Sequence, residues 1–300
     1  MSKGIPVFLI LVLALCVTAC NTKKQQSTEP EPTTAEVKKP QGYEIPRTQV
    51  VPIKNSRLGG QYELYIKLPE SYSEHKDSIH PVIYFTDAIW HMDILSASAE
   101  YLMEDAVLVG ISWQKDMPED LLEEAGEHVS RYRDYSIKES SNPEHQAKYK
   151  FGQAHSHLNF IRNDVIPYVE KNYRTDASTR SYFGYSMGGN FGAFILMAKP
   201  DTFKNYILGS PTVDGDIALL SELGTTSLTK YKGFHANVFV SYGALEDELG
   251  PHVEEFVTMV KSKKDETLSL EHVVLEGSHQ TVFPLAGVES VRWLSKITKE

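Results

Sequence analysis

The sequence predicts an α/β domain, a mainly parallel sheet with helices on both faces. Three observations carry that prediction. Short apolar runs of strand length alternate with stretches of helical periodicity from residue 43 onward. The inner runs, such as Val82-Ile83-Tyr84-Phe85, are apolar throughout, as strands buried on both faces are. Tyr182-Phe183-Gly184-Tyr185-Ser186-Met187-Gly188-Gly189 then sets a serine at G-x-S-x-G spacing between a strand and a helix.

Length and composition fit one such domain. The chain has 300 residues, 41% of them hydrophobic and 23% charged, enough for a core and a soluble surface. Its formal net charge of −10 argues against nucleic acid as a partner. The sequence shows neither zinc-type cysteine spacing, nor a P-loop, nor a G-x-G-x-x-G after a strand, so metal and nucleotide cofactors are not expected.

At the N-terminus, Lys3 precedes an apolar run from Pro6 to Ala19, short for a bilayer span and suited to a signal-peptide core. Leu15-Cys16-Val17-Thr18-Ala19-Cys20 resembles a bacterial lipobox. That resemblance implies a leader over 1–19, cleavage before Cys20 and lipidation of its thiol, with the body anchored in the bacterial cell envelope on the periplasmic or cell-surface face. An ordinary signal peptide or a short membrane anchor is the other reading. Residues 20–42 are polar and Pro-containing without periodicity and read as a disordered tether. Both cysteines, Cys16 and Cys20, fall within the first twenty residues, so no disulfide forms in the body.

The domain is expected over 43–300. Thr48 to Ile53 and Gln61 to Leu68 read as two strands joined by a Gly-rich turn. Val82 to Phe85 and Ala106 to Ile111 are buried strands flanking a helix from Ile94 to Met103. Met117 to Asn142 is polar, acidic and irregular, in the manner of an insertion or lid. His155 to Tyr173 has one apolar face and should be a helix kinked at Pro167. The strand Arg180 to Tyr185 and the helix Gly189 to Lys199 flank the serine. A strand Asn205 to Leu208 and a looser segment Asp214 to Phe234 follow. The strand Val238 to Tyr242, the helix Pro251 to Lys261, the strand Leu268 to Leu275 and the helix Leu285 to Ile297 close the chain. There are no internal repeats.

The chemistry centres on Ser186. Glycines at 184 and 188 leave room for a sharp turn that exposes the hydroxyl and aims the Met187 N–H at a developing oxyanion. A serine needs a general base, and on sheets with this turn the acid and then the histidine follow it in the chain. Of His235, His252, His272 and His279, only His279 falls in a loop after the last strand. His272 begins a strand, His252 opens a helix and His235 precedes a strand. The acid belongs after the strand Val238 to Tyr242, where Glu246 and Asp247 are the candidates. The second oxyanion donor belongs to the turn Thr86-Asp87-Ala88-Ile89-Trp90, with the Ile89 amide as candidate and Asp87 as a brace.

Trp90, Trp113, Arg131 and Arg133 stand at strand ends, where α/β proteins bind ligands, and suit an aromatic or anionic substrate. The two arginines suit equally well a structural role beside Asp134 and other carboxylates. His155-x-His157 has ligand-like spacing but opens a helix without neighbouring carboxylates, and is not read as a metal site.

Val82-Ile83-Tyr84-Phe85-Thr86-Asp87-Ala88, Arg131-Tyr132-Arg133-Asp134-Tyr135, the stretch Ile166 to Arg174, Gly184 to Gly189 and Ser210-Pro211 together resemble the Putative esterase family of α/β-hydrolases. This group contains the enterobactin (siderophore) esterases, esterase D and the mycolyltransferase antigens. The resemblance runs from about Tyr43 to Ile297. It implies the α/β-hydrolase fold and a serine esterase, with Ser186 and His279 at its core and oxyanion amides from Met187 and Ile89. Two departures stand out: the family's Asp-Gly pair is Asp87-Ala88 here, and the acid is Glu rather than the commoner Asp, so a Ser-His dyad is a further possibility.

The resulting expectation is a serine carboxylic-ester hydrolase that needs no cofactor and acts on a small-molecule ester. By resemblance, siderophore-type lactones rank first, acetyl or feruloyl carbohydrate esters second and simple acyl esters third. The rival reading is a binding lipoprotein of hydrolase fold that lacks catalysis. Reaction with a serine-directed phosphonate separates the two.

Overall fold

The strand-length apolar runs all pair into one sheet. The computed structural model describes residues 42–231, 234–263 and 268–298. Its strands are β1 (Thr48–Lys54), β2 (Gln61–Lys67), β3 (Val82–Phe85), β4 (Val107–Ile111), β5 (Ser181–Tyr185), β6 (Asn205–Gly209), β7 (Ala236–Gly243) and β8 (Leu268–Leu275). They lie side by side in the order β1-β2-β4-β3-β5-β6-β7-β8. β2 runs antiparallel to both β1 and β4, and every other pairing is parallel. This is the mixed, mostly parallel α/β sheet that the sequence predicts.

The helices are α1 (Ala88–Leu102), α2 (Glu119–Ala125), α3 (Ser130–Asp134), α4 (Pro143–Tyr149), α5 (Ala154–Phe160), α6 (Ile166–Asn172), α7 (Met187–Ala198), α8 (Ile217–Lys230), α9 (Gly250–Ser262) and α10 (Phe283–Ile297). They bury both faces of the sheet, because successive strand residues point to opposite sides. Tyr84, Val109, Tyr182, Tyr206 and Val238 share one core with residues of α5, α6, α7 and α9. Ile83, Phe85, Phe183, Ile207 and Phe239 share the other with α1 and α10.

Parallel register brings the functional loops to one edge. Phe85 pairs with Phe183, Tyr185 with Gly209, Gly209 with Ser241, and Gly243 with Leu275. The turns that follow β3, β5, β6, β7 and β8 therefore gather at the carboxyl ends of adjacent strands. β3 and β5 are the neighbours at which the strand order reverses, the crevice where open α/β sheets bind ligands.

Four segments differ from the sequence expectation. Met117 to Asn142 is not irregular: α2, a turn of 3₁₀-helix (Glu127–Val129) and α3 occupy most of it, each too short to show a periodic stripe. Asp214 to Phe234 contains the full helix α8. Gly224 and its Thr and Ser neighbours weaken the helical signal, yet packing explains them. A Cβ at Gly224 would lie 2.7 Å from Met197 Sδ of α7, and the Ser227 hydroxyl donates to the Met197 carbonyl. α1 begins at Ala88, well before Ile94. The helix expected over His155 to Tyr173 is α5, one turn of π-helix (Ile161–Val165) and α6. The π turn ends just before Pro167, which has no N–H for the preceding turn.

The expected leader, Cys20 and nearly all of the expected tether lie outside the described residues. Among the described residues, no helix is long and apolar enough to cross a membrane.

Candidate active site

Ser186 follows β5 directly and precedes α7, with φ 58° and ψ −121°. A non-glycine residue there is strained, as exposed nucleophiles on tight turns are. Its flanking glycines are dictated by contact. A Cβ on Gly184 would sit 2.2 Å from the Gly188 carbonyl oxygen, and one on Gly188 would sit 2.5 Å from Thr86 Oγ1. The Tyr182 hydroxyl donates to the Gly188 carbonyl at 2.8 Å, which fixes the first turn of α7.

His279 lies in the loop after β8, and its Nε2 is 3.0 Å from Ser186 Oγ. Its Nδ1 bonds Oε1 of Glu246, which lies in the loop after β7 and is buried. In the tautomer that satisfies both contacts, Nδ1–H donates to the carboxylate and Nε2 accepts the serine proton. The other carboxylate oxygen, Oε2, accepts from the Gly243 N–H and, at 2.8 Å, from the Ser210 hydroxyl. Asp247 is exposed. The two loops are also joined through the backbone: Ala244 N–H donates to the Leu275 carbonyl at 2.7 Å and Leu245 N–H to the Gly277 carbonyl at 3.0 Å.

The oxyanion candidates sit at two helix starts. Met187 is the first residue of α7 and Ile89 the second of α1, positions whose amides lack intrahelical acceptors. Asp87 ends the turn after β3 at φ 58° and ψ 46°. Its carboxylate is fully buried, takes Trp113 Nε1–H at 2.6 Å, and pairs with Arg131 Nε at 2.7 Å. It braces the turn, as the sequence suggests. The Ile89 side chain points elsewhere, into a shallow groove beside Val50, Tyr65 and Met92.

A cleft of about 410 Å³ opens over the serine, lined by Trp90, His91, Arg131, Tyr185, His279 and Phe283 among others. Of the four residues expected to meet substrate, two line it. Trp90 is 46% exposed, and the Arg131 guanidinium lies 4.9 Å from the centre of its ring. Trp113 is buried behind Trp90, edge-on to it, with its ring N–H committed to Asp87. Arg133 belongs to a different cavity. It bonds Asp134, the Tyr62 hydroxyl and Gln114, in a space of about 310 Å³ shared with His157. Arg131 and Arg133 are two residues apart on a helix and so cannot face the same way. Both arginines do pair with carboxylates, so the structural half of the expectation holds for each.

Four contributors escape sequence reasoning. Tyr185 is a variable position of the serine motif, yet its hydroxyl donates to the His279 carbonyl at 2.5 Å. Ser210, visible only within the Ser210-Pro211 pair, reaches the acid. Phe283 lies before the expected start of the last helix. His91 is buried, stacks on Phe283 with ring centres 4.8 Å apart, and has Nδ1 2.9 Å from the Thr86 carbonyl. Desolvation pushes its pKa down to about 4, so it is neutral at pH 7. His157 is also buried, caged by Tyr62, Tyr135, Phe160 and Phe191, and burial lowers its pKa. His272, in β8, stacks on Tyr242 of β7.

A sequence profile described as Putative esterase matches residues 55–266. The ferri-bacillibactin esterase BesA of Bacillus subtilis (strain 168) is 24% identical over 271 residues, spanning 84% of this chain and 90% of that protein. Among solved structures, the BES protein from Bacillus cereus superposes with a TM-score of 0.71 at 23% identity, covering 85% of this chain and 98% of that one. The siderophore hydrolase EstA from Aspergillus nidulans superposes with a TM-score of 0.64 at 18% identity, over 84% and 95%.

Proposed function

We propose that this chain, which belongs to the Putative esterase family and is an ester hydrolase, cleaves carboxylic esters with Ser186, His279 and Glu246 as nucleophile, base and acid. The observation that carries this is the 3.0 Å contact between Ser186 Oγ and His279 Nε2, on a histidine held from its far side by a buried carboxylate. His279 takes the serine proton as Oγ attacks the ester carbonyl, and Glu246 stabilises the imidazolium that forms. The Met187 and Ile89 amides donate to the oxyanion, at helix starts whose partial positive charge adds to the effect. His279 then protonates the leaving alkoxide, and water deacylates the serine by the same route in reverse.

For substrate, siderophore-type lactone esters are the first choice. The B. subtilis relative is named a ferri-bacillibactin esterase and the A. nidulans neighbour a siderophore hydrolase, and Trp90 offers an exposed aromatic face at the cleft. The Arg131 charge beside it is partly cancelled by Asp87, which leaves aromatic stacking as the main recognition on this side. Lipid anchoring through Cys20, in a bacterial envelope, completes the reading and rests on the lipobox-like run alone.

The test is a fluorophosphonate label mapped by mass spectrometry, run beside a panel of esters: a catecholate trilactone, a feruloyl ester, an acetylated sugar and a short p-nitrophenyl ester. A single adduct on Ser186 and highest kcat/KM on the trilactone are expected. No adduct on Ser186 removes the mechanism, and preference for another panel member moves the substrate.

A further inference from the structure

We propose that Ser210 is a positioning residue for Glu246, an inference that rests on the triad reading above. It starts from a backbone anomaly. Ser210 follows β6 with φ 39°, in the region where glycine is the least strained residue. Its N–H donates to the Ser241 carbonyl at 2.6 Å and Pro211 follows it, so the backbone is held on both sides. A serine kept where glycine is easier implies that its hydroxyl is used.

That hydroxyl is fully buried and stands between the two loops that carry base and acid. Oγ is 2.8 Å from Glu246 Oε2 and 3.0 Å from the Tyr185 hydroxyl, which in turn reaches the backbone carbonyl of His279. Three contacts share two protons. The carboxylate is the strongest acceptor, so it takes the Ser210 proton. The Tyr185 proton is left for the His279 carbonyl and Ser210 Oγ. The acid and the base are thereby fixed to one another through two side chains of neighbouring strand ends.

The use of glutamate explains why such a clamp is needed. Its extra methylene adds a rotor, and a carboxylate free to turn about it loses the alignment with Nδ1. With Oε2 held by the Gly243 amide and the Ser210 hydroxyl, Oε1 remains on His279. The Gly243 donor could be removed only by proline, and a Cβ there would lie 2.3 Å from the Gly277 carbonyl oxygen, whereas Ser210 can be changed.

The experiment compares Ser210→Gly and Ser210→Ala in the full chain, each alone and on a Glu246→Gln background, with kcat, KM and thermal unfolding of every variant. Ser210→Gly removes the hydroxyl and relieves the backbone, so its melting temperature should equal or exceed that of Ser210→Ala. Its kcat should nonetheless fall about tenfold or more, the worth of a hydrogen bond to a charged group, with little change in KM. On the Glu246→Gln background the same change should cost less than about twofold, because the clamped charge is already gone. Turnover of Ser210→Gly close to wild type overturns the proposal, as does an equal loss on both backgrounds. Ser186→Ala run alongside separates the two levels: if it stays active the triad itself falls, and if it is dead while Ser210→Gly is active only the clamp falls.

Discussion

Asp87 and Ser186 share a φ of 58°, each being the residue that turns the chain from one of two neighbouring parallel strands into a helix. The two helix starts thus face the same crevice from adjacent strands, with Gly188 packed so close to Thr86 and Asp87 that it has no room for a side chain. Whatever fixes the Asp87 turn therefore also shapes the ground beside the serine.

Asp87 should be costly to replace, in two separable ways. Asp87→Asn tolerates the left-handed backbone but leaves the buried Arg131 without its counter-ion, which should destabilise the fold by about 3 kcal/mol. Asp87→Ala adds backbone strain and should lose roughly another 1 kcal/mol. Urea unfolding of both variants checks the order, and an alanine variant as stable as the asparagine one contradicts it. Lower kcat in both should accompany the loss.

Glu246 and Asp247 should differ sharply in turnover. Glu246 is buried against His279, and Asp247 faces solvent. Losing an orienting carboxylate costs up to about 10⁴ in kcat, so Glu246→Gln should lose at least about 10²-fold and Asp247→Asn little. Steady-state kinetics on one p-nitrophenyl ester suffices. Equal activity of Glu246→Gln and wild type would point to a Ser186–His279 dyad.

Stability should fall on mild acidification because of His91. Its folded pKa, about 4, lies below the ordinary value of 6.5. The unfolded chain therefore binds the proton more readily, and stability rises with pH between those two values. The contribution is fully present above about pH 6.5, erodes as pH falls toward 4, and amounts to about 3 kcal/mol for this one residue. His157 and His272, also shifted down by burial, act in the same direction. Between pH 7.5 and 4 the denaturation midpoint of wild type should fall more steeply than that of His91→Phe. Parallel curves for the two proteins would show that His91 is not the acid-sensitive group.

Cys20 carries the anchoring proposal. Native protein should enter the detergent phase on partitioning and Cys20→Ser should not, since the lipid would hang on that thiol. Persistent membrane fractionation of Cys20→Ser would make the apolar run itself the anchor.

The sequence by itself determined the strand order of chemistry: a serine between Gly184 and Gly188, and His279 as the one later histidine in a loop after the last strand. Those are local features, because a turn's glycines and a strand's apolar run are imposed by atoms a few residues apart. It also marked every strand to within a residue or two, and missed α8 because Gly224 serves contact with α7 rather than helix propensity. Only the tertiary structure decided which of two adjacent carboxylates meets His279, and that Arg131 enters the cleft while Arg133 turns into another cavity. Neighbouring residues of like chemistry give the same sequence signal, and their separation is made by packing between segments far apart in the chain. Trp113 and Ser210 belong to the same class. Their partners, Asp87 and Glu246, stand 26 and 36 residues away, and parallel strand register alone brings them within hydrogen-bond reach.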